Sequence, residues 1–241
     1  YTTLFRSLVA THLYAGCYLV ITGLATLVLA TVQATRFAPT PSRRAARGGR
    51  PLAAIVRQPR FLVALASAAV GQSAMSFLMV STPLAMLGCG HAFTDATTVI
   101  QWHVLGMFAP SFVTGSIIQR LGASPVIAAG AGLILAAVAV GTQGLGFGHF
   151  WLGLVLVGVG WNFMYVGGTT LLTTTYHPEE RAKVEGLNET CLFATVVLAS
   201  TASGAVLAQL GWNAMNLVVV APLTLVLVAL ARLGRPRAEP A

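Results

Sequence analysis

Residues 36–60 read RFAPTPSRRAARGGRPLAAIVRQPR, and the role of this stretch decides the fold. It holds Arg36, Arg43, Arg44, Arg47, Arg50, Arg57 and Arg60, half of the 14 Lys and Arg in the chain, and no acid. Such a basic run suits nucleic acid, an anionic membrane surface, or the cytoplasmic side of a membrane protein. Its flanks choose between these. On both sides the chain turns apolar for whole helix-lengths at a time.

Composition agrees with the flanks. The 241 residues are 56% hydrophobic and 8% charged, with a mean hydropathy of +0.80. Soluble domains carry about 25% charged residues, so this chain cannot cover a soluble surface. The net charge of +8 is confined to the connections between apolar runs, which removes nucleic acid as a partner and puts the lipid bilayer in its place. Cys17, Cys89 and Cys191 form neither a disulfide framework nor a metal-ligand spacing, and read as small apolar fillers. No metal or cofactor is expected.

A bilayer core about 30 Å thick needs around 20 apolar residues in a helix. Seven stretches qualify: about 12–34, 61–87, 95–118, 124–143, 150–175, 185–208 and 212–233. They are too long for strands and do not alternate. The sequence thus predicts an all-α polytopic membrane protein with seven transmembrane helices. Placing 36–60 in the cytoplasm also puts Arg120, Arg181, Lys183, Arg232, Arg235 and Arg237 there, leaving only Arg6 outside. The outer connections GCGHAF, TQGLGFGH and QLGWN carry no Lys or Arg.

One helix precedes the basic loop and six tightly connected helices follow it. This suggests a two-bundle transporter built from repeats. The expected organisation is 1–35 as the last helix of a truncated N-terminal bundle and 36–60 as a basic cytoplasmic linker. Residues 61–234 form a C-terminal six-helix bundle, and 235–241 a cytoplasmic tail. No Met opens the chain, no signal peptide is read, and YTTLFRS resembles translated adaptor sequence, so a fragment is expected.

Two segments carry a family resemblance. Gly115 to Pro125, GSIIQRLGASP, resembles the G-x-x-x-D-R-x-G-R-R loop of the major facilitator superfamily. Gly115, Arg120 and Gly122 match; Gln119, Ser124 and Pro125 depart from the pattern. His177 to Asn188, HPEERAKVEGLN, is similar to the P-x-x-R-(G/A)-x-x-x-G segment opening the eleventh helix of such transporters. With QWHVLGMFAPSF at 101–112, the resemblance runs from the sixth helix to the twelfth. It implies a bacterial inner-membrane secondary transporter, moving a small-molecule substrate by alternating access, with proton coupling as one candidate drive. The partner it implies is a missing N-terminal bundle. Uptake and efflux both remain open.

Polar residues at membrane depth face a cavity or a neighbouring helix. Gln72 and Ser76 lie one turn apart in the second helix; Gln101 and His103 lie near the outer end of the third. Asn162, Tyr165, Thr169 and Thr173 share a face of the fifth, with Trp161 beside them. These are candidates either for a substrate cavity or for an interhelical polar seam. A His can exchange a proton near neutral pH, so His103 reads as a proton-relay candidate or as a neutral His satisfied by a neighbouring backbone group, and Asp95 sits where helix N–H groups need an acceptor. At the start of the sixth helix, Glu185 is spaced to pair with Arg181. Glu189, one turn deeper, reads as a partner for Arg120 in an inner gate, as a proton-coupling acid, or as a snorkelling carboxylate. There is no P-loop for ATP drive. A membrane-embedded enzyme or a receptor is the other class of reading, but HExxH, GxSxG and paired Asp are all missing from the sequence.

Overall fold

A computed structural model of the chain describes residues 15–35 and 49–234. Arg36, Arg43, Arg44 and Arg47, the leader with Arg6, and the tail with Arg235 and Arg237 lie outside the described residues. The chain divides into two units, Tyr1–Ala45 and Ala46–Ala241. In the first, α1 (Ala15–Ala34) is apolar along its length, and its Thr22 and Thr26 hydroxyls donate to the carbonyls one turn back, each at 2.8 Å. That satisfies the hydroxyls without water, as a lipid environment demands.

The second unit contains α2 (Leu52–Val56), α3 (Pro59–Gly88), α4 (Phe93–Phe108), α5 (Ser111–Leu121), α6 (Ala123–Gly141), α7 (Phe147–Thr173), α8 (Arg181–Val218) and α9 (Val220–Leu233). A 3-10 turn, Pro178–Glu180, precedes α8. No strand occurs among the described residues. α3 starts with Gln58 extended and Pro59 in the first helical position, where a missing N–H costs nothing.

Five helical segments of the second unit are long and apolar enough to cross a bilayer. The last, Pro178–Leu233, is two crossings joined end to end. Gly211 inside it has φ 77° and ψ 178°, a backbone that favours glycine. Ala202 and Val218, on either side of that break, line one groove, so the chain doubles back there. The protein is therefore the all-α, multi-pass membrane protein expected from its sequence.

Two local departures matter for function. The stretch read as one helix over 95–118 is broken between Phe108 and Ser111, because Pro110 has no N–H to donate and its ring crowds the preceding turn. Residues 49–60 of the basic linker, read as loop, include α2 and the start of α3.

The core is organised around α7, which packs against α3, α4 and α6. Its glycines set the spacing. A Cβ on Gly160 would stand 2.7 Å from the Gly130 carbonyl oxygen of α6, and one on Gly158 would stand 2.6 Å from the His103 carbonyl oxygen of α4. Lipid offers no hydrophobic drive between helices, so close backbone approach and dispersion supply the cohesion.

Candidate functional site

The polar and aromatic candidates separate into two faces of α7. On one, Trp161 and Tyr165 are one turn apart and stack, with ring centroids 5.3 Å apart and planes 13° from parallel. Phe108 of α4 meets Trp161 edge-on at 6.4 Å. From α3, the side-chain oxygen of Gln72 accepts the Trp161 indole N–H, which fixes the ring's orientation. Trp161, Tyr165 and Gln72 are all half-buried. Thr169 continues this side of the helix, with its hydroxyl turned back to the Tyr165 carbonyl at 2.8 Å. Ser76 is buried in α3 one turn beyond Gln72. Tyr165 also packs against a small cluster of Ala68, Ala69 and Leu192, so α3, α7 and α8 converge here.

The other face is sealed. Asn162 is 1% exposed, and its amide nitrogen donates to the Met107 carbonyl at 2.8 Å and to the Ser111 hydroxyl at 2.7 Å. Its oxygen accepts from the Thr114 hydroxyl at 2.7 Å. These partners straddle the break at Pro110. Across it, the regular bond from the Ser111 N–H to the Met107 carbonyl is missing from the helix ladder, and Asn162 supplies a donor instead. His103 belongs to the same seam: fully buried, it donates from Nδ1 to the Leu154 carbonyl at 2.7 Å, and its Nε2 has no partner among the described residues. Met107 and Thr114, on the same side of the chain as His103, thus meet α7. Gln101 is exposed, and its neighbour Trp102 meets Trp151 edge-on at 5.8 Å.

At the arginine-rich end one ion pair is the expected one and the other is not. Among the described residues there are two, Arg50–Glu180 and Arg181–Glu185. Glu189 does not pair with Arg120: Glu189 is half-buried and accepts from the Asn188 amide at 3.3 Å, while Arg120 is exposed. The acid taken by a distant arginine is Glu180, whose side chain is 0% exposed. Its Oε1 accepts from the Arg50 backbone N–H at 2.6 Å and from Arg50 Nε at 3.0 Å, and its Oε2 accepts from Nη2 at 2.7 Å. Such fork-to-carboxylate geometry is the strong form of the interaction. Arg50 also donates to the Thr175 carbonyl at 3.0 Å, and Lys183 donates to the Arg50 carbonyl. The bond to Glu180 raises the Arg50 guanidinium pKa above its already high ordinary value. Glu185 accepts from Arg181 at 3.0 Å and from the Tyr176 hydroxyl at 2.6 Å. Burial, then the bond to Glu185, push the Tyr176 phenol up to about 12. Sequence spacing pointed to the Arg181–Glu185 pair. It gave no sign of Arg50–Glu180, whose members are 130 residues apart.

The loop between α5 and α6 ends in Gly122, with φ 86°, where only glycine sits without strain. Gly115 has open space around it and Arg120 is exposed, so neither is held in the packing. The family profile of the Major Facilitator Superfamily matches residues 94–241, from the start of α4 to the end of the chain. The chain belongs to that superfamily.

Named relatives are similar over much of the chain. The riboflavin transporter RfnT of Brucella anthropi is 41% identical over 189 residues, which is 78% of this chain and 48% of that protein. Two Bacillus subtilis proteins, the uncharacterized MFS-type transporters YddS and YdeG, are 33% and 32% identical, each over 61% of this chain and about a third of their own length. The chain spans about half or less of these relatives. No solved structure matches it.

Proposed function

We propose that this chain supplies the C-terminal half, and the last helix of the N-terminal half, of a secondary transporter that carries a flat aromatic solute by alternating access. The observation that carries the solute class is the Trp161–Tyr165 stack, held by the Gln72 side chain and left half-open. Two parallel, half-exposed rings offer a π-surface to a planar ligand, and the Gln72 amide offers a directional contact beside it. Riboflavin is the first solute to test, because the relative of that name is 41% identical over 189 residues. In this reading residues 36–60 and the C-terminus face the cytoplasm, following the positive charge.

Proton coupling, in the same reading, is assigned to Glu189 rather than His103. His103 is sealed against α7 with no exposed surface, whereas Glu189 is half-buried on α8 and free of any ion pair among the described residues.

The experiment is uptake of labelled riboflavin by a riboflavin-requiring bacterium without its own importer, expressing the intact gene product. Growth and uptake are expected, with Trp161→Ala raising KM more than it lowers the maximal rate. Uptake should fall when the proton gradient is collapsed and with Glu189→Gln, and should survive His103→Gln. Protein present in the membrane with no riboflavin binding or uptake refutes the flavin assignment. Uptake indifferent to the gradient refutes the coupling.

A further inference from the structure

The arginine-rich end of the bundle carries a groove that the transport reading does not use. It lies between α3 and α9, has a volume of about 820 Å³, and is lined at its mouth by Gln58, Arg60 and Arg232. No acid lines it. Arg60 and Arg232 are both exposed, and neither forms an ion pair among the described residues, in contrast to Arg50 and Arg181. Below the arginines the walls are apolar and open: Leu62 is 50% exposed, Leu225 70% and Val228 43%.

The groove continues along the helices. A second stretch of about 330 Å³ shares Leu62, Val63, Leu225 and Ala229 with the first and reaches Val70 and Pro222. From Arg60 to Val70 is about 15 Å along a helix, the depth of one leaflet's hydrocarbon, about half of the 30 Å core. Two cations therefore stand at headgroup level, over an apolar channel one leaflet deep.

We propose that this groove binds an anionic phospholipid, with its phosphate between Arg60 and Arg232 and an acyl chain along Leu62, Val70, Pro222 and Leu225. Charge selects the headgroup, since guanidinium groups match phosphate oxygens and no carboxylate at the mouth opposes them. The channel selects a lipid over free phosphate, because the exposed Leu62 and Leu225 leave water only when a chain covers them. Basic pockets between membrane helices take anionic headgroups on the same physical grounds.

The test is native mass spectrometry of the full-length protein in detergent, with phosphatidylglycerol, phosphatidylcholine of the same chains, and inorganic phosphate as probes. One phosphatidylglycerol should be retained, and neither phosphatidylcholine nor phosphate at equal concentration should displace it. Arg60→Gln with Arg232→Gln should weaken retention roughly thirtyfold, the effect of two arginines at an anionic surface. Val228→Trp, which leaves every charge in place and fills the groove, should weaken it as well and covers the case in which the double variant does not fold. Arg181→Gln, at the same end of the bundle, should not. Equal binding of phosphatidylcholine, full displacement by phosphate, or retention unchanged by Val228→Trp overturns the proposal. So does phosphatidylglycerol binding that appears only after removal of residues 235–241, which would give the groove to the chain's own tail.

Discussion

Asn162→Ala tests whether the seam along α7 repairs the break at Pro110 or merely borders it. Asn162 makes three hydrogen bonds at 2.7–2.8 Å from a site that is 1% exposed. Side-chain hydrogen bonds between membrane helices are worth about 0.6 kcal/mol each, with a ceiling near 1.7. Three give about 2 kcal/mol. Thr114 keeps a second acceptor in the Pro110 carbonyl at 2.8 Å, and Ser111 is exposed, so most of the loss falls on the Met107 carbonyl. That carbonyl lacks its helical donor because the ladder is broken two residues on. Pro110→Ala permits a regular helix, in which the Ser111 N–H returns to Met107. The cost of Asn162→Ala should then fall from about 2 kcal/mol to below about 1 kcal/mol in the Pro110→Ala background. Denaturant unfolding of the four proteins in mixed micelles measures the cycle. Additive effects, or a loss under about 0.5 kcal/mol for Asn162→Ala alone, would show that Asn162 is not the group that satisfies the break.

Gly160→Ala places a methyl 2.7 Å from the Gly130 carbonyl oxygen and should destabilise the protein by about 1–3 kcal/mol in the same assay, while Gly132→Ala, where the added carbon meets nothing within 4 Å, should stay within about 0.5 kcal/mol. Gly130→Ala together with Gly160→Ala should cost less than the sum of the two, since the first methyl already moves the helices apart; strict additivity would mean that the two contacts relax independently. Glu180→Gln removes the charge partner of Arg50 and should lower the melting temperature and speed hydrogen exchange over Arg50–Val56, but not across α6; unchanged exchange there would show that the linker is held by other contacts. Tyr176 has its phenol raised to about 12, so its neutral form stabilises the fold fully below the ordinary value of about 10, and that contribution is lost as pH rises through the folded value. Alkaline stability curves of wild type and Tyr176→Phe should therefore converge between these two pH values. Parallel curves up to the folded value would sink the assignment.

The crossings were legible because lipid imposes a coarse rule: about 20 apolar residues per helix, with Lys and Arg kept at the ends. The turn at Gly211 was legible for a related reason, since QLGWN interrupts an apolar run with polar and glycine residues. The break at Pro110 was not, because proline within a membrane helix is compatible with either a kink or an interruption, and the choice rests on a donor from Asn162, 52 positions later in the chain. The candidate site shows the limit of reading a helix by its face. Asn162 and Tyr165 are three residues apart and were grouped together, yet Tyr165 stacks with Trp161, one full turn away, while Asn162 turns to α4 and α5. Periodicity places residues within a sector of the helix; it does not say which neighbour fills that sector.

The basic run at 36–60 has the same lesson in electrostatic terms. As a sequence it is one block of like charge, and a single role, anchoring the loop on one side of the membrane, accounts for all of it. Its described arginines do different things because of what lies opposite them. Arg50 meets Glu180, buried and fully hydrogen-bonded, and is spent on holding the start of α2 to the turn before α8. Arg60 meets no carboxylate and stands at the head of an apolar groove with Arg232. A forked pair whose carboxylate is buried is screened much less than an exposed guanidinium, which is screened within about 10 Å at 0.1 M salt. Salt should therefore separate the two roles in a single sample. Raising it should release the phospholipid we place at Arg60 and Arg232 well before it loosens the exchange-protected backbone at Arg50. If both respond together, the division of the run into a structural and a lipid-facing arginine is wrong.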